Sequence, residues 1–383
     1  GYISFSTSGE GGEGATYAMP RLVNTGNVQA NGGDSVFDGY NAGEGGSINF
    51  DVEESYAGDQ VQSNPAVLAI SGNLKAEGGR AVTHEDTDEN NAGNGGYINI
   101  EHDSQSASEL ATYIVGYASF EASGGNGLLA GRGGNINVYT ESNSNQDDAV
   151  SFAPAPPLDI TTNLVANAGS VVYSETLTDT PSADNGGSVY VRINTEHSSL
   201  QKKLTLNLEG DISVNASNVK NGNTDDAGYI EIYGPQDIVV RGDFGLNGSN
   251  ETGTDNYNEG GEGGFIAMTS ENTSVNYKGD ISATGGAGEN EGGDGGYFMV
   301  QSATASKING SINLAGGNAS ATEVEGDDTY GGNGGFLRAV SNDFKTKLSA
   351  SYIITPGTGS DAGIIGGAFV DFTCIEGQCQ GNN

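Results

Sequence analysis

The sequence contains no tryptophan, only three histidines and two cysteines, and its 14 lysines and arginines face 50 aspartates and glutamates. Each shortage argues something away. With a formal net charge of −36 and so few basic residues, there is little to neutralise phosphate, which argues against nucleic acid and anionic lipid surfaces as partners. No stretch reaches the ~18 apolar residues of a membrane-spanning helix, and no helical period of useful length occurs. The histidines His84, His102 and His197 lie far apart, with no nucleophile at motif spacing, and read as solvated loop residues.

Both cysteines fall near the end, in Cys374-Ile-Glu-Gly-Gln-Cys379. With no other cysteine in the chain and no histidine beside them, they read as one local disulfide, which points to an oxidising, extracytoplasmic location. Two free thiols, or half of an intermolecular zinc site, is the other reading. The chain starts at Gly1 rather than Met, as it would after removal of a secretion signal or at any other boundary.

What is abundant is glycine, 64 residues of 383, set among short alternating runs of β-branched and aromatic residues. Disordered chains lack such runs, so this is an ordered all-β protein. A glycine pair followed by an alternating strand recurs: Gly45-Gly46-Ser-Ile-Asn-Phe50, Gly95-Gly96-Tyr-Ile-Asn-Ile100, Gly133-Gly134-Asn-Ile-Asn-Val138 and Gly186-Gly187-Ser-Val-Tyr-Val191. Ala227-Gly228-Tyr-Ile-Glu-Ile232, Gly263-Gly264-Phe-Ile-Ala-Met268, Gly295-Gly296-Tyr-Phe-Met-Val300 and Gly334-Gly335-Phe-Leu-Arg-Ala339 continue the series. Successive second glycines are 50, 38, 53, 41, 36, 32 and 39 residues apart, so loops of variable length separate fixed pieces.

A second element, such as Gly210-Asp-Ile-Ser-Val214 or Gly279-Asp-Ile-Ser-Ala283, precedes a Gly/Asn/Ser turn, and a third alternating run, such as Val275-Asn-Tyr277, lies just upstream of it. One repeat is therefore three short strands. Their inward faces can be buried only by stacking repeat on repeat at ~4.8 Å. The fold expected is a single parallel β-helix (solenoid) over residues 1–383, with nine to ten coils and, by the usual crossover rule, a right hand. Residues 368–383 form a last strand and a disulfide-closed tail. The expected core is the ladder Ile48, Ile98, Ile136, Val189, Ile230, Ile266, Phe298 and Leu337, joined by Leu74, Phe120, Leu164, Ile212, Phe244, Ile281 and Ile312. The glycines mark corners where φ is positive or backbones come close. Variable loops leave after the second element and return at the glycine pair.

The Gly-Gly-x-Φ-x-Φ repeat, where Φ is apolar, resembles the Gly-rich β-helical passenger and stalk regions of bacterial adhesins, autotransporters and related surface or filament proteins. The resemblance implies secretion, surface exposure, and a binding or scaffolding role without a bound cofactor.

Enzymatic β-helices that cleave polysaccharides need paired carboxylates or a carboxylate–calcium–basic cluster on one face. Here Arg132, Arg192, Arg241 and Arg338 are scattered over different repeats, so no such cluster can be nominated and the chain reads as non-enzymatic. Calcium is the ligand the composition favours, at the acidic pairs Asp86 and Asp88, Asp225 and Asp226, and Asp327 and Asp328, but no cofactor is required. These pairs fit no calcium motif closely, and solvated acidic loops are the plainer reading.

Two surfaces remain. The residue after each glycine pair must face outward, and in four successive repeats it is Tyr229, Phe265, Tyr297 and Phe336, an aromatic ladder readable as a lateral docking surface for another subunit or a glycan. Strands at both ends, with Tyr2, Ile3 and Phe5 in one and Phe369 and Phe372 in the other, show no capping helix. Open ends of this kind predict head-to-tail homopolymers. The reading is thus an extracellular filament subunit, with a monomeric adhesin holding glycan or calcium as the alternative and a polysaccharide-cleaving enzyme third.

Overall fold

A computed structural model describes residues 1–11, 21–36, 40–56, 67–81, 91–104, 111–114, 118–142, 158–172, 180–195, 205–253, 259–320, 329–342, 346–359 and 370–371. Among these residues there is no helix, and every strand pairing is parallel. The first strands of the repeats form a ten-stranded sheet that runs from Tyr2–Gly11 through Ser47–Tyr56 and onward to Phe336–Ser341 and Val370–Asp371. The second and third strands form two ladders of a sixteen-stranded sheet. They merge at Ser306–Asn313, a single strand that pairs with both Val275–Lys278 and Ile281–Ser282.

Alternation explains the elements. In Tyr229–Gly234 the odd residues are half-buried and Ile230 and Ile232 are fully buried, as the two-residue period of a strand requires. The register then stacks like on like. Ile48 pairs with Ile98, Ile98 with Ile136, Ile136 with Val189, and the column continues through Ile230, Ile266, Phe298 and Leu337. A facing column runs Leu74, Phe120, Leu164, Ile212, Phe244, Ile281, Ile312. All of these side chains are buried in one continuous core, so the expected ladder is the observed one.

Of the two roles expected of glycine, close approach of backbones is the one the structure shows, and positive φ is rare. Among the described glycines only Gly310 has positive φ, at 130°. Most of the others allow contact of main chain with main chain. Gly79 donates to Gly43 O at 2.8 Å, Gly93 to Gly79 O at 2.9 Å, Gly125 to Gly93 O at 2.8 Å and Gly131 to Gly125 O at 2.9 Å. The same zigzag recurs at Gly261, Gly286, Gly293, Gly317 and Gly332. Two columns, one leaving the core and one returning, are thus zipped by backbone hydrogen bonds, close-packed where glycine faces glycine, with Asp225 and Ser249 taking glycine's place in the same zigzag. A Cβ added at Gly93 would stand 1.9 Å from Gly43 O.

The corners are fixed by side-chain ladders. The Oδ1 of Asn163 accepts from the amide of Asp211 at 2.9 Å, Asp211 Oδ1 from Asp243 N at 2.9 Å, Asp243 Oδ1 from Asp280 N at 2.8 Å, and Asp280 Oδ1 from Ser311 N at 2.8 Å. A second ladder runs from Asn167 through Asn215 and Asn247 to Thr284. Asn and Asp serve here because a short acceptor reaches the amide one repeat on, satisfying backbone donors that the turn leaves unpaired.

Length varies at a second place that the sequence reading did not locate. Residues 57–66 separate Ser47–Tyr56 from Val67–Ile70, whereas only Pro235 and Gln236 separate Tyr229–Gly234 from Asp237–Arg241. Insertions therefore enter between first and second strands as well as before the glycine pair.

Candidate interaction surfaces

The outward residues of the ten-stranded sheet form columns, and they divide the face into two halves. The first half is acidic. Asp51 pairs in register with Glu101, and Glu53 with Asp103, which in turn faces Glu141. Arg192, the cation that borders this half, is held by Glu231 of the next strand at 3.0 Å and lies over the Tyr190 ring at 4.9 Å. Partial burial, together with Glu141, Glu53, Glu101 and Asp51, pushes the Asp103 carboxyl up to about 6. Beside these columns Asn137 Nδ2 donates to Asn99 Oδ1 at 2.6 Å.

The second half is aromatic. Tyr229 and Phe265 stack at 5.3 Å with planes 3° apart, Phe265 and Tyr297 lie 6.0 Å apart, and Tyr297 and Phe336 5.9 Å. The four predicted rings are therefore brought together as a ladder, with Tyr297 49% exposed. Tyr190, which the sequence reading missed, extends it by packing diagonally on Tyr229 at 5.6 Å. Its place as third residue of its strand hid it, although the two-residue period already put it on this face. The Tyr229 hydroxyl donates to Glu231 at 3.0 Å, and burial, then that carboxylate, raises the phenol to about 12.

At one end of the stack, Tyr2–Gly11 pairs only with Ser47–Tyr56 among the described residues. Its Tyr2 is 72% exposed, Phe5 stacks on Phe50 at 4.9 Å while remaining 36% exposed, and Ile3 packs on the core. At the other end Lys347–Ile353 pairs only with Ser306–Asn313 among the described residues and exposes Tyr352 and Ile353. Phe369 and Phe372 lie outside the described residues, flanking Val370–Asp371 on the edge of the ten-stranded sheet.

Cys374, Cys379, Asp86, Asp88, Asp327 and Asp328 also lie outside the described residues. Asp225 and Asp226 are next to the glycine seam, tied into the backbone: Asp225 Oδ1 accepts from Asp226 N at 2.9 Å and Asp226 Oδ1 from Glu262 N at 2.7 Å. Burial, then Asp184 and Asp226, raise the Asp225 carboxyl. Among the described residues no three His, Cys, Asp or Glu side chains converge as metal ligands.

His102 corrects the reading of the histidines as solvated. It is fully buried, facing inward between Val52 and Thr140, and burial lowers its imidazole to about 4. A cleft of about 470 Å³ runs along the return side past Asn41, Asn91, Asn94, Ser182 and Asp184, a polar groove to which Glu44 and Asp184 bring carboxylates. No protein-family model, curated protein or solved structure matches the chain.

Proposed function

We propose that this chain is a parallel β-solenoid with three strands per coil and nine to ten coils, and that it serves as an extracellular structural subunit polymerising head to tail. Two long parallel sheets in unbroken register, sharing one core, support the solenoid reading. Polymerisation is carried by one observation. The edge strand Tyr2–Gly11 has the register and the stacked Phe5–Phe50 contact of an internal strand, yet among the described residues one of its edges has no partner and its aromatics are exposed. An edge of this kind templates a further parallel strand, and a head-to-tail neighbour would bring to it the Val370–Asp371 edge of the same ten-stranded sheet, and to Arg21–Asn24 the Lys347–Ile353 edge of the sixteen-stranded sheet. A head-to-tail contact that repeats without closing gives a fibre.

A monomeric glycan-binding adhesin is the second reading, because of the aromatic ladder. It is less well supported: the rings pack on one another, Tyr229 and Phe265 stacked and the later pairs tilted by 33° and 48°, so part of their surface is spent within the ladder. The test is sedimentation of the full chain across concentration, beside Phe5→Lys and Tyr352→Lys. The wild type is expected to form long species and each variant to stay monomeric with unchanged thermal melting. A wild type that never associates, or variants that polymerise like it, would sink the proposal.

A further inference from the structure

Four adjacent strands of the aromatic half carry outward columns that complement themselves when read backwards. In register, the first outward column is Tyr229, Phe265, Tyr297, Phe336 and the next is Glu231, Ala267, Met299, Arg338. An acid and a base close the ends of the second column, and a small and a large apolar residue fill its middle.

We propose that this face docks a second copy of the same chain, with the stacking directions opposed, about a two-fold axis lying along the strands between Phe265–Ser270 and Tyr297–Ser302. That operator sets Glu231 opposite Arg338 of the other copy twice, Ala267 opposite Met299 twice, and the aromatic column on its own reverse, as an isologous contact requires. Arg338 is exposed and has no side-chain partner among the described residues, so its charge is available. Ala267 is only 5% exposed although it faces outward, a hollow between taller neighbours that the flexible Met299 thioether fits.

Charge selects the direction. A parallel arrangement would oppose Glu231 to Glu231 and lay the cluster of Asp51, Glu53, Glu101, Asp103 and Glu141 on its own copy. The opposed arrangement sends the two clusters to opposite ends. Four strands at ~4.8 Å, each ~20 Å long, give about 400 Å² a side, near half of a standard interface. Single pairs are thus weakly held, and copies aligned in a filament would associate by avidity. The contact itself does not depend on head-to-tail assembly.

The experiment is sedimentation equilibrium of the full chain carrying Phe5→Lys, so that end association does not contribute, at low salt. A concentration-dependent dimer is expected, weakened about tenfold by Arg338→Glu and similarly by Glu231→Arg. The double exchange E231R/R338E should restore it, because the two-fold operator pairs the exchanged charges again. Glu231 also holds Arg192, so thermal melting checks that variant, and Met299→Lys provides an independent disruption should it fail to fold. Monomer at every concentration, a dimer indifferent to Arg338→Glu and Met299→Lys, or a double exchange no better than the single ones would overturn the proposal. So would a monomer that binds an immobilised polysaccharide through Tyr297.

Discussion

Gly286 lies main chain against main chain on Gly261, its amide donating to the Gly261 carbonyl over 2.8 Å, and its own carbonyl accepts from Gly293 at 2.9 Å. A Cβ at Gly286 would meet Ser249 O at 1.8 Å, backbone that cannot swing aside. Gly286→Ala should therefore destabilise by about 3 kcal/mol or more, as overpacking does. Gly33, in the same column at the edge of the stack, has open space where a Cβ would stand, with nothing within 4 Å. Gly33→Ala is expected to be neutral or to stabilise by about 0.5 kcal/mol through the unfolded chain. Urea unfolding of the two variants decides it, and equal effects would contradict the close-packed seam.

Asn247 joins three repeats. Its Oδ1 accepts from Ser282 Oγ at 2.7 Å and Thr284 Oγ1 at 2.9 Å, and its Nδ2 donates to Asn215 Oδ1 at 3.1 Å. Asn247→Ala leaves half-buried donors unanswered and should cost about 2 kcal/mol. Hydrogen exchange should show the loss at Thr284, whose amide also donates to Asn247. Unchanged protection there would count against a structural role for the ladder.

The core was legible because alternation and the glycine pair set phase and repeat at once: Ile48 to Leu337 fall in the column that the pattern implies. The seam and the Asn/Asp ladders were not. Gly93 and Gly125 meet only after residues far apart in sequence stack, and the side chains of Asn215 and Asn247 accept from amides 32 and 37 residues further on. The aromatic ladder was readable from one-dimensional phase, while the pairing of Glu231 and Arg338 ends in one column needed the register. His102 was misread because a single histidine inside an acidic strand, Tyr97–Ser104, looks solvated until its inward phase is counted.

Burial holds the folded-state pKa of His102 near 4, below its ordinary 6.5. The unfolded chain therefore takes up a proton that the folded chain refuses. This group's contribution to stability is complete above about pH 6.5 and is lost as pH falls towards 4, by about 3 kcal/mol. His102→Gln should be less sensitive to acid by that amount in urea titrations at about pH 7 and pH 4. Equal acid sensitivity in the two proteins would contradict the buried neutral imidazole.

Asp103 behaves with the opposite sign. Its folded pKa of about 6 exceeds the ordinary 3.8, so the carboxyl is tolerated when protonated and destabilises as pH rises through 6. Asp103→Asn should stabilise the protein at about pH 8, by no more than about 1 kcal/mol after solvent screening of a half-exposed group. At about pH 4 the gain should vanish. A gain independent of pH would show that burial of the charged carboxylate, with the crowding of Glu141, Glu53 and Glu101, is not its source.

In the proposed filament the stacked parallel strands continue from one copy into the next through the Tyr2–Gly11 edge. Electron microscopy with fibre diffraction of the concentrated full chain tests it most directly. Long unbranched fibres with a meridional reflection at ~4.8 Å are predicted; uniform short rods at every concentration would contradict it.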